Sequence, residues 1–220
     1  YSFAGVCLFS LLCIQAIETR KHNFCGGTTQ RIHHVQNNIV YCFTKRFLDI
    51  FLSIFVLVVL SLPMIIIAII IRLDSPGPAF FRQDRLGKNG KTFIMYKYRT
   101  MYTDAEKDGP QWAKENDSRC TKVGLYLRKT RIDELPQFIN VLKGEMSLVG
   151  PRPEREYFYD KFETYIKGFR YRLAVLPGIT GLAQVNGGYN LLPEEKIVYD
   201  MEYIRNMSFT MDLYCFLKTF

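Results

Sequence analysis

The chain has 220 residues, 48% hydrophobic and 23% charged, which allows one domain with a real core and excludes a disordered chain. Its net charge of +8 requires a negatively charged partner: nucleic acid, an anionic membrane surface or phosphorylated ligands. The six cysteines, at 7, 13, 25, 42, 120 and 215, form no Cys-x-x-Cys pair, which argues against a zinc site or a disulfide framework and suits a reducing compartment.

Residues 1–17 are apolar but lack the basic start of a signal peptide, so they read as the end of a membrane helix. A first residue that is Tyr1 and an abrupt ending in Phe-Leu-Lys-Thr-Phe suit a piece of a longer protein. The adjacent His33 and His34 lie in a polar stretch and read as loop residues. Residues 50–71, IFLSIFVLVVLSLPMIIIAIII, form the strongest compositional signal, 22 residues without a charge. As a helix they reach about 33 Å, the thickness of a bilayer's hydrocarbon core. Pro63 removes a hydrogen bond near the middle and predicts a bend there. Lys45 and Arg46 precede the run, and Arg72, Arg82 and Arg85 follow it. Basic residues mark the cytoplasmic side, and a single span cannot put both flanks there. A re-entrant hairpin bent at Pro63 can, and it keeps Asp49 near the interface.

Beyond residue 72, no zinc-finger, helix-turn-helix or RNA-binding signature appears, so nucleic acid is not the expected partner. Residues 75–101 read as a β-hairpin turning at Asn89-Gly90, with Phe93, Met95, Lys97 and Arg99 on one face of the second strand. The two cations suit an anion site or a solvated face. Residues 103–119 read as a long loop or a short helix around Trp112, and 121–129 as a short helix ending in Arg128 and Lys129. In TRIDELPQFINVLKGEMSLVGPRPE, apolar residues at 132, 135, 139 and 142 have helical spacing, with Asp133, Gln137 and Asn140 on the other face. Asp133 fits the N-cap of that helix, with Pro136 in its first turn. A helix N-terminus crowded by Arg128, Lys129 and Arg131 also suits a magnesium–diphosphate ligand, with Asp133 and Glu134 beside it.

Arg152, locked between Pro151 and Pro153, suits a rigid phosphate clamp or a plain exposed turn. The Gly-rich residues 176–187 offer Gln184 and Asn186 as amide contacts for a substrate, or simply connect elements. Residues 155–169 place Phe158, Phe162, Tyr165, Ile166 and Phe169 on one helical face, fit either for a membrane interface or for a core. Residues 193–208 read as a helix starting at Pro193.

The stretches KRFLDI, DSPGPAFFRQDRLGKNGKTFIMYKYRTM, LRKTRIDELPQFINVLKGEMSLVGPRPE, PGITGLAQVNG and DMEYIRNMSFTMDL stand in the order and spacing of the bacterial sugar transferases. Over roughly residues 44–217 the chain resembles the catalytic C-terminal region of these monotopic phosphoglycosyl transferases, whose larger members carry preceding membrane helices. The resemblance implies transfer of a sugar-1-phosphate from a UDP-sugar to undecaprenyl phosphate, with release of UMP and a covalent intermediate. Position by position, Asp133 would be the nucleophile. Glu134 would be its partner at a Mg2+ site shared with Asp133 or in proton transfer, and Arg128 a phosphate contact. Lys97, Arg99 and Arg152 would be further anion contacts, with Gln184 and Asn186 as substrate contacts. The family often carries Ser-Pro at the membrane bend, whereas here Ser61 stands two residues before Pro63.

The expected class is α+β, a membrane-embedded re-entrant helix followed by a small, mainly helical cytoplasmic domain with a β-hairpin. The expected divisions are an N-terminal segment 1–43, the membrane hairpin 44–73 and the catalytic domain 74–220. The expected location is the bacterial plasma membrane, cytoplasmic face. Expected partners are the UDP-sugar, undecaprenyl phosphate, the membrane and a second copy of the chain. A membrane-anchored scaffold or lipid-binding protein without catalysis is the alternative, and the intact Asp133–Glu134 pair argues for the enzyme.

Overall fold

The computed structural model describes residues 39–105, 107, 117–187 and 191–219. The segment around Trp112 and the His33–His34 pair lie outside the described residues. Helix α1 is Ile39–Val59 and helix α2 is Ser61–Asp74. They meet at an angle of 64°. The break falls at Leu60, not at Pro63. A proline ring collides with the carbonyl four residues back, and four residues before Pro63 stands Val59, the last residue of α1. Pro63 thus sits in the first turn of α2, where the missing N–H costs nothing. The Ser61 hydroxyl donates to the Val58 carbonyl at 2.8 Å, so a serine one place early still satisfies backbone at the bend.

Among the described residues no single helix is long and apolar enough to cross a membrane; the bent pair together reaches that length and composition. Its apolar side chains are mostly uncovered, Phe51, Phe55, Leu62 and Ile65 among them. The buried side chains of α1 are instead Tyr41, Asp49 and Ser53. The polar ones hold the helix to the rest of the protein. Lys45 and Tyr41 both donate to Asp212 at 2.8 Å. Arg46 donates to the carbonyls of Val141 and Leu142 at 2.8 and 3.3 Å. Asp49 accepts from the Leu148 amide at 3.1 Å. Two of the cations that flank the membrane run are therefore bound inside the protein.

Strands β1 (Phe80–Leu86) and β2 (Thr92–Tyr98) form the expected antiparallel hairpin, Phe80 opposite Tyr98 and Leu86 opposite Thr92. Asn89 and Gly90 both adopt positive φ, the backbone that an Asn-Gly turn is suited to. Helix α3 is Lys122–Lys129, N-capped by the Thr121 hydroxyl, which accepts from the Gly124 amide. Ile71 of α2, Tyr98 of β2 and Leu127 of α3 pack into one cluster, and the Tyr98 hydroxyl donates to the Met64 carbonyl at 2.8 Å.

Helix α4 is Gln137–Lys143, and its buried residues are Gln137, Asn140 and Val141. The polar face is the inward one, opposite to a simple amphipathic reading. Asn140 accepts from the Tyr96 amide and donates to the Ile94 carbonyl, so it stitches α4 to β2, while Ile139 is exposed. Strand β3 (Ser147–Val149) pairs in parallel with β4 (Gly178–Thr180). Between them lie α5 (Glu156–Glu163) and a 3-10 helix over Phe169–Ala174. Phe158, Phe162, Ile166 and Phe169 are buried, so the aromatic face of 155–169 is core, and only Tyr165 of that set is exposed. Helices α6 (Leu182–Asn186), α7 (Pro193–Arg205) and α8 (Phe209–Leu217) complete the fold, α7 starting at Pro193 as expected. The mixture of small sheets and many helices is an α+β architecture.

Replacing Asp49 by Ala leaves the buried Leu148 amide without its acceptor, a loss of about 1–3 kcal/mol. The expected outcome is a lower midpoint of thermal unfolding in detergent; an unchanged midpoint would show that the amide finds another partner.

Candidate active site

Asp133 and Glu134 belong to a 3-10 turn, Ile132–Glu134. Arg131 enters it with φ 57°, a left-handed conformation uncommon for a side chain of this size. Asp133 does not cap α4. That helix starts at Gln137 behind Pro136 with no side-chain cap, and the extra turn gives the carboxylates a different direction. Both are buried, 6% and 7% exposed.

Two adjacent buried carboxylates need cations, and three elements deliver them. Lys97 of β2 reaches Glu134 Oε1 at 3.4 Å. Arg152, from the Pro-Arg-Pro segment, donates to the same oxygen at 2.5 Å. Arg128, at the end of α3, lines the same cavity and donates to the Cys120 sulfur at 3.3 Å. Glu134 and Asp133 respond differently. Burial alone would raise Glu134, but Arg152 and Lys97 overcome it and hold the group at about 2. For Asp133 burial prevails over Lys97, and its pKa is raised to about 6, helped by the charge on Glu134. Burial also lowers the Lys97 ammonium to about 8, with Arg152 adding to the effect. Among the described residues the Asp133 carboxylate accepts no hydrogen bond. It is the uncommitted acid of the pair.

The carboxylates open on a cavity of about 520 Å³. One end is bounded by Pro78, Phe80, Phe81 and Tyr102, next to the end of α2. The other holds Arg172, Gln184, Lys196 and Asp200. Behind Arg152 the chain is gripped by two buried guanidiniums. Arg172 donates to the Arg152 carbonyl at 2.9 Å and to Asp200 at 2.7 Å. Arg85 donates to the Pro153 carbonyl at 3.1 Å and to the Glu154 carboxylate at 3.0 Å. Neither Arg172, Asp200, Lys196 nor Glu154 stands out in the sequence. Arg85 had read as a charge flanking the membrane run. The signal that was available is indirect: Glu154 ends one quoted motif and Asp200 begins another.

The other expected site residues separate. Arg99 touches the cavity, but its guanidinium donates to the carbonyls of Ile71, Ser75 and Pro76, closing the end of α2. Gln184 lines the cavity; its amide nitrogen donates to the Ile179 carbonyl, and its buried oxygen has no partner. Asn186 turns away, donating to Leu182 and accepting from Lys218. Ser61 and Pro63 stand at the bend between the first two helices, away from the cavity lining. Among the described residues no cluster of three metal-ligating side chains exists. A cation held by the Asp133 carboxylate and the second oxygen of Glu134 would complete its shell with phosphate oxygens and water, which suits magnesium.

The family model described as bacterial sugar transferase matches residues 40–220. The chain is 45% identical over 183 residues to the UDP-N-acetylgalactosamine-undecaprenyl-phosphate N-acetylgalactosaminephosphotransferase of Aeromonas hydrophila, covering 82% of this chain and 43% of that protein. It is 48% identical over 150 residues to a Bacillus subtilis protein named putative undecaprenyl-phosphate N-acetylgalactosaminyl 1-phosphate transferase, covering 66% of this chain and 83% of that one. It is 42% identical over 174 residues to the UDP-glucose:undecaprenyl-phosphate glucose-1-phosphate transferase of Escherichia coli (strain K12), covering 77% and 38%. The chain thus spans less than half the length of the first and third of these relatives.

Arg128 depends on how closely α3 lies on the chain leaving β2. A Cβ on Gly124 would stand 2.0 Å from the Thr100 carbonyl oxygen, a backbone atom that cannot swing aside. Gly124→Ala gains about 1 kcal/mol of helix propensity and loses about 1–3 kcal/mol to overpacking. The overpacking wins, so the variant should unfold at lower temperature than the parent in detergent. An equal or higher midpoint would mean that α3 can shift freely.

Proposed function

The chain belongs to the bacterial sugar transferase family, and from that premise we propose that it transfers a sugar-1-phosphate from a UDP-sugar to undecaprenyl phosphate, initiating assembly of a lipid-linked polysaccharide. The observation that carries the reading is the uncommitted, buried Asp133 carboxylate facing a cationic cavity, beside a Glu134 already neutralised. A carboxylate attacks an anionic diphosphate only where cations have lowered the repulsion, and here they stand in place beforehand. An Asp133 oxygen attacks the β-phosphorus. The bond to the oxygen bridging the two phosphorus atoms breaks, and UMP departs with that oxygen and its electron pair. The acceptor phosphate then attacks the phosphorus of the aspartyl phosphosugar, and the Asp133 carboxylate is regenerated.

Glu134, held down at about 2, stays ionised at neutral pH. Its role in this scheme is to fix Lys97 and Arg152, not to pass a proton. Magnesium bound at the carboxylate pair would supply further charge neutralisation on the diphosphate.

The helix pair α1–α2 serves as a re-entrant anchor at the cytoplasmic face of the plasma membrane. The 64° bend and the uncovered apolar side chains support this, as does an acceptor whose phosphate sits at the membrane surface. Single cysteines at Val40 and Leu73 should both label from the cytoplasmic side; labelling from opposite sides would make the pair a kinked span.

In a UMP-release assay with undecaprenyl phosphate and magnesium, Asp133→Asn should lower the rate by about 10³-fold or more. Release that survives would assign the nucleophile elsewhere. In the parent, kcat/KM should rise as Asp133 ionises, near pH 6, and fall as Lys97 loses its proton, near pH 8. Arg152→Gln removes a cation that holds Asp133 down, so its acid limb should move to higher pH. An acid limb that stays in place would exclude Asp133 as the titrating group.

A further inference from the structure

The catalytic proposal leaves half of the cavity unused. Arg172, Asp200, Lys196 and Gln184 line its far end, and none touches the carboxylate pair. Arg172 is 2% exposed and binds Asp200 and the Arg152 carbonyl, yet its remaining terminal nitrogen, Nη1, is buried with no partner. The Gln184 side-chain oxygen is likewise buried and unpartnered. A buried donor and a buried acceptor left unmatched in a cavity wall are costly unless a ligand completes them.

Resting on the transferase reading, we infer that this end of the cavity is the subsite of the leaving nucleoside monophosphate, and that Lys196, Arg172 and Gln184 hold it. Three observations support this. First, attack in line requires the leaving group on the side of the phosphorus opposite Asp133. Arg152 pairs with Glu134 on one side, and its carbonyl is held by Arg172 on the other, so the far cluster lies directly behind the phosphate clamp. Second, charge distinguishes the ligands. Asp200 matches Arg172 and Glu154 matches Arg85, which leaves Lys196 and Arg155 as an excess on this wall. A neutral sugar has no use for that excess, whereas a nucleoside monophosphate, dianionic once released, does. Third, the opposite end of the cavity adjoins the end of α2 through Pro78, Phe80 and Arg99, so a lipid acceptor enters there. The nucleotide is left with the end remote from the anchor. The donor–acceptor pair of Arg172 and Gln184 suits ribose hydroxyls or the uracil edge, both of which combine an acceptor with a donor.

The test is binding of UMP to the full chain in detergent, measured by calorimetry, for the parent, Lys196→Gln and Gln184→Leu, each first shown to unfold at the parent's temperature. Loss of a charge-assisted contact should weaken UMP by roughly tenfold to a hundredfold in Lys196→Gln. Loss of the amide oxygen should weaken it by roughly threefold to tenfold in Gln184→Leu. UMP affinity within twofold of the parent in both variants overturns the assignment. So does an unchanged UMP affinity accompanied by a raised KM for undecaprenyl phosphate, which would give this end to the acceptor. A parent that binds no UMP removes the transferase reading itself, a failure distinct from either of those. Should either variant unfold early, Lys196→Arg replaces it: restored UMP affinity supports the subsite, and affinity lost despite the retained charge overturns it.

Discussion

Two neighbouring carboxylates cannot both be buried unless the fold brings cations to them. Removing one partner of a buried pair costs about 3–5 kcal/mol, so the cations are as much a folding requirement as a chemical one. Lys97, Arg128 and Arg152 come from a strand, a helix end and a proline-locked segment that are far apart in the chain. Each is backed by structure whose purpose is placement. Asn140 ties the strand to α4, Gly124 lets α3 approach, and Arg85 with Arg172 grips the proline-locked carbonyls. The site is therefore preorganised before a ligand arrives, and the asymmetry between Asp133 and Glu134 follows from which of them the cations reach.

Local signals were legible where local physics decides. The Asn-Gly hairpin and the Pro193 helix start were of this kind. The acidic pair and the clamp arginine stood out because of their unusual neighbours, and the structure does bring Asp133, Glu134, Lys97, Arg128 and Arg152 to one cavity. What stayed illegible depends on distant partners. Periodicity turned Ile139 inward, yet Asn140 and Gln137 are the buried residues because β2 and the cavity need their amides. Asp133 satisfied every local rule for a helix cap, but Pro136 and the turn at Arg131 start the helix later. Strands of three residues, such as β3 and β4, carry too little alternation to be read. Arg172 and Asp200 are separated by 28 positions, and nothing in either neighbourhood announces their pairing.

Basic residues beside an apolar helix are ordinarily counted as markers of the side on which they stay. Lys45 and Arg46 show that such residues can have a second occupation, since both are bound to groups of the folded unit. Arg99 does the corresponding work at the end of α2. The helix pair is thus joined to the catalytic elements at both of its ends, by charged contacts and not by apolar packing alone.

That joining bears on how the protein can be taken apart. Cutting the chain before β1 to obtain a soluble catalytic fragment would not simply remove an anchor. It would strip Asp212 of its cation, leave the Val141 and Leu142 carbonyls without Arg46, and free the Leu148 amide. The Arg99 guanidinium would lose every carbonyl it now binds. Grafting an unrelated apolar helix in place of α1 would incur the same losses. The hydrophobic segment is a structural subunit of the catalytic unit, and any engineered version has to carry its polar stripe with it.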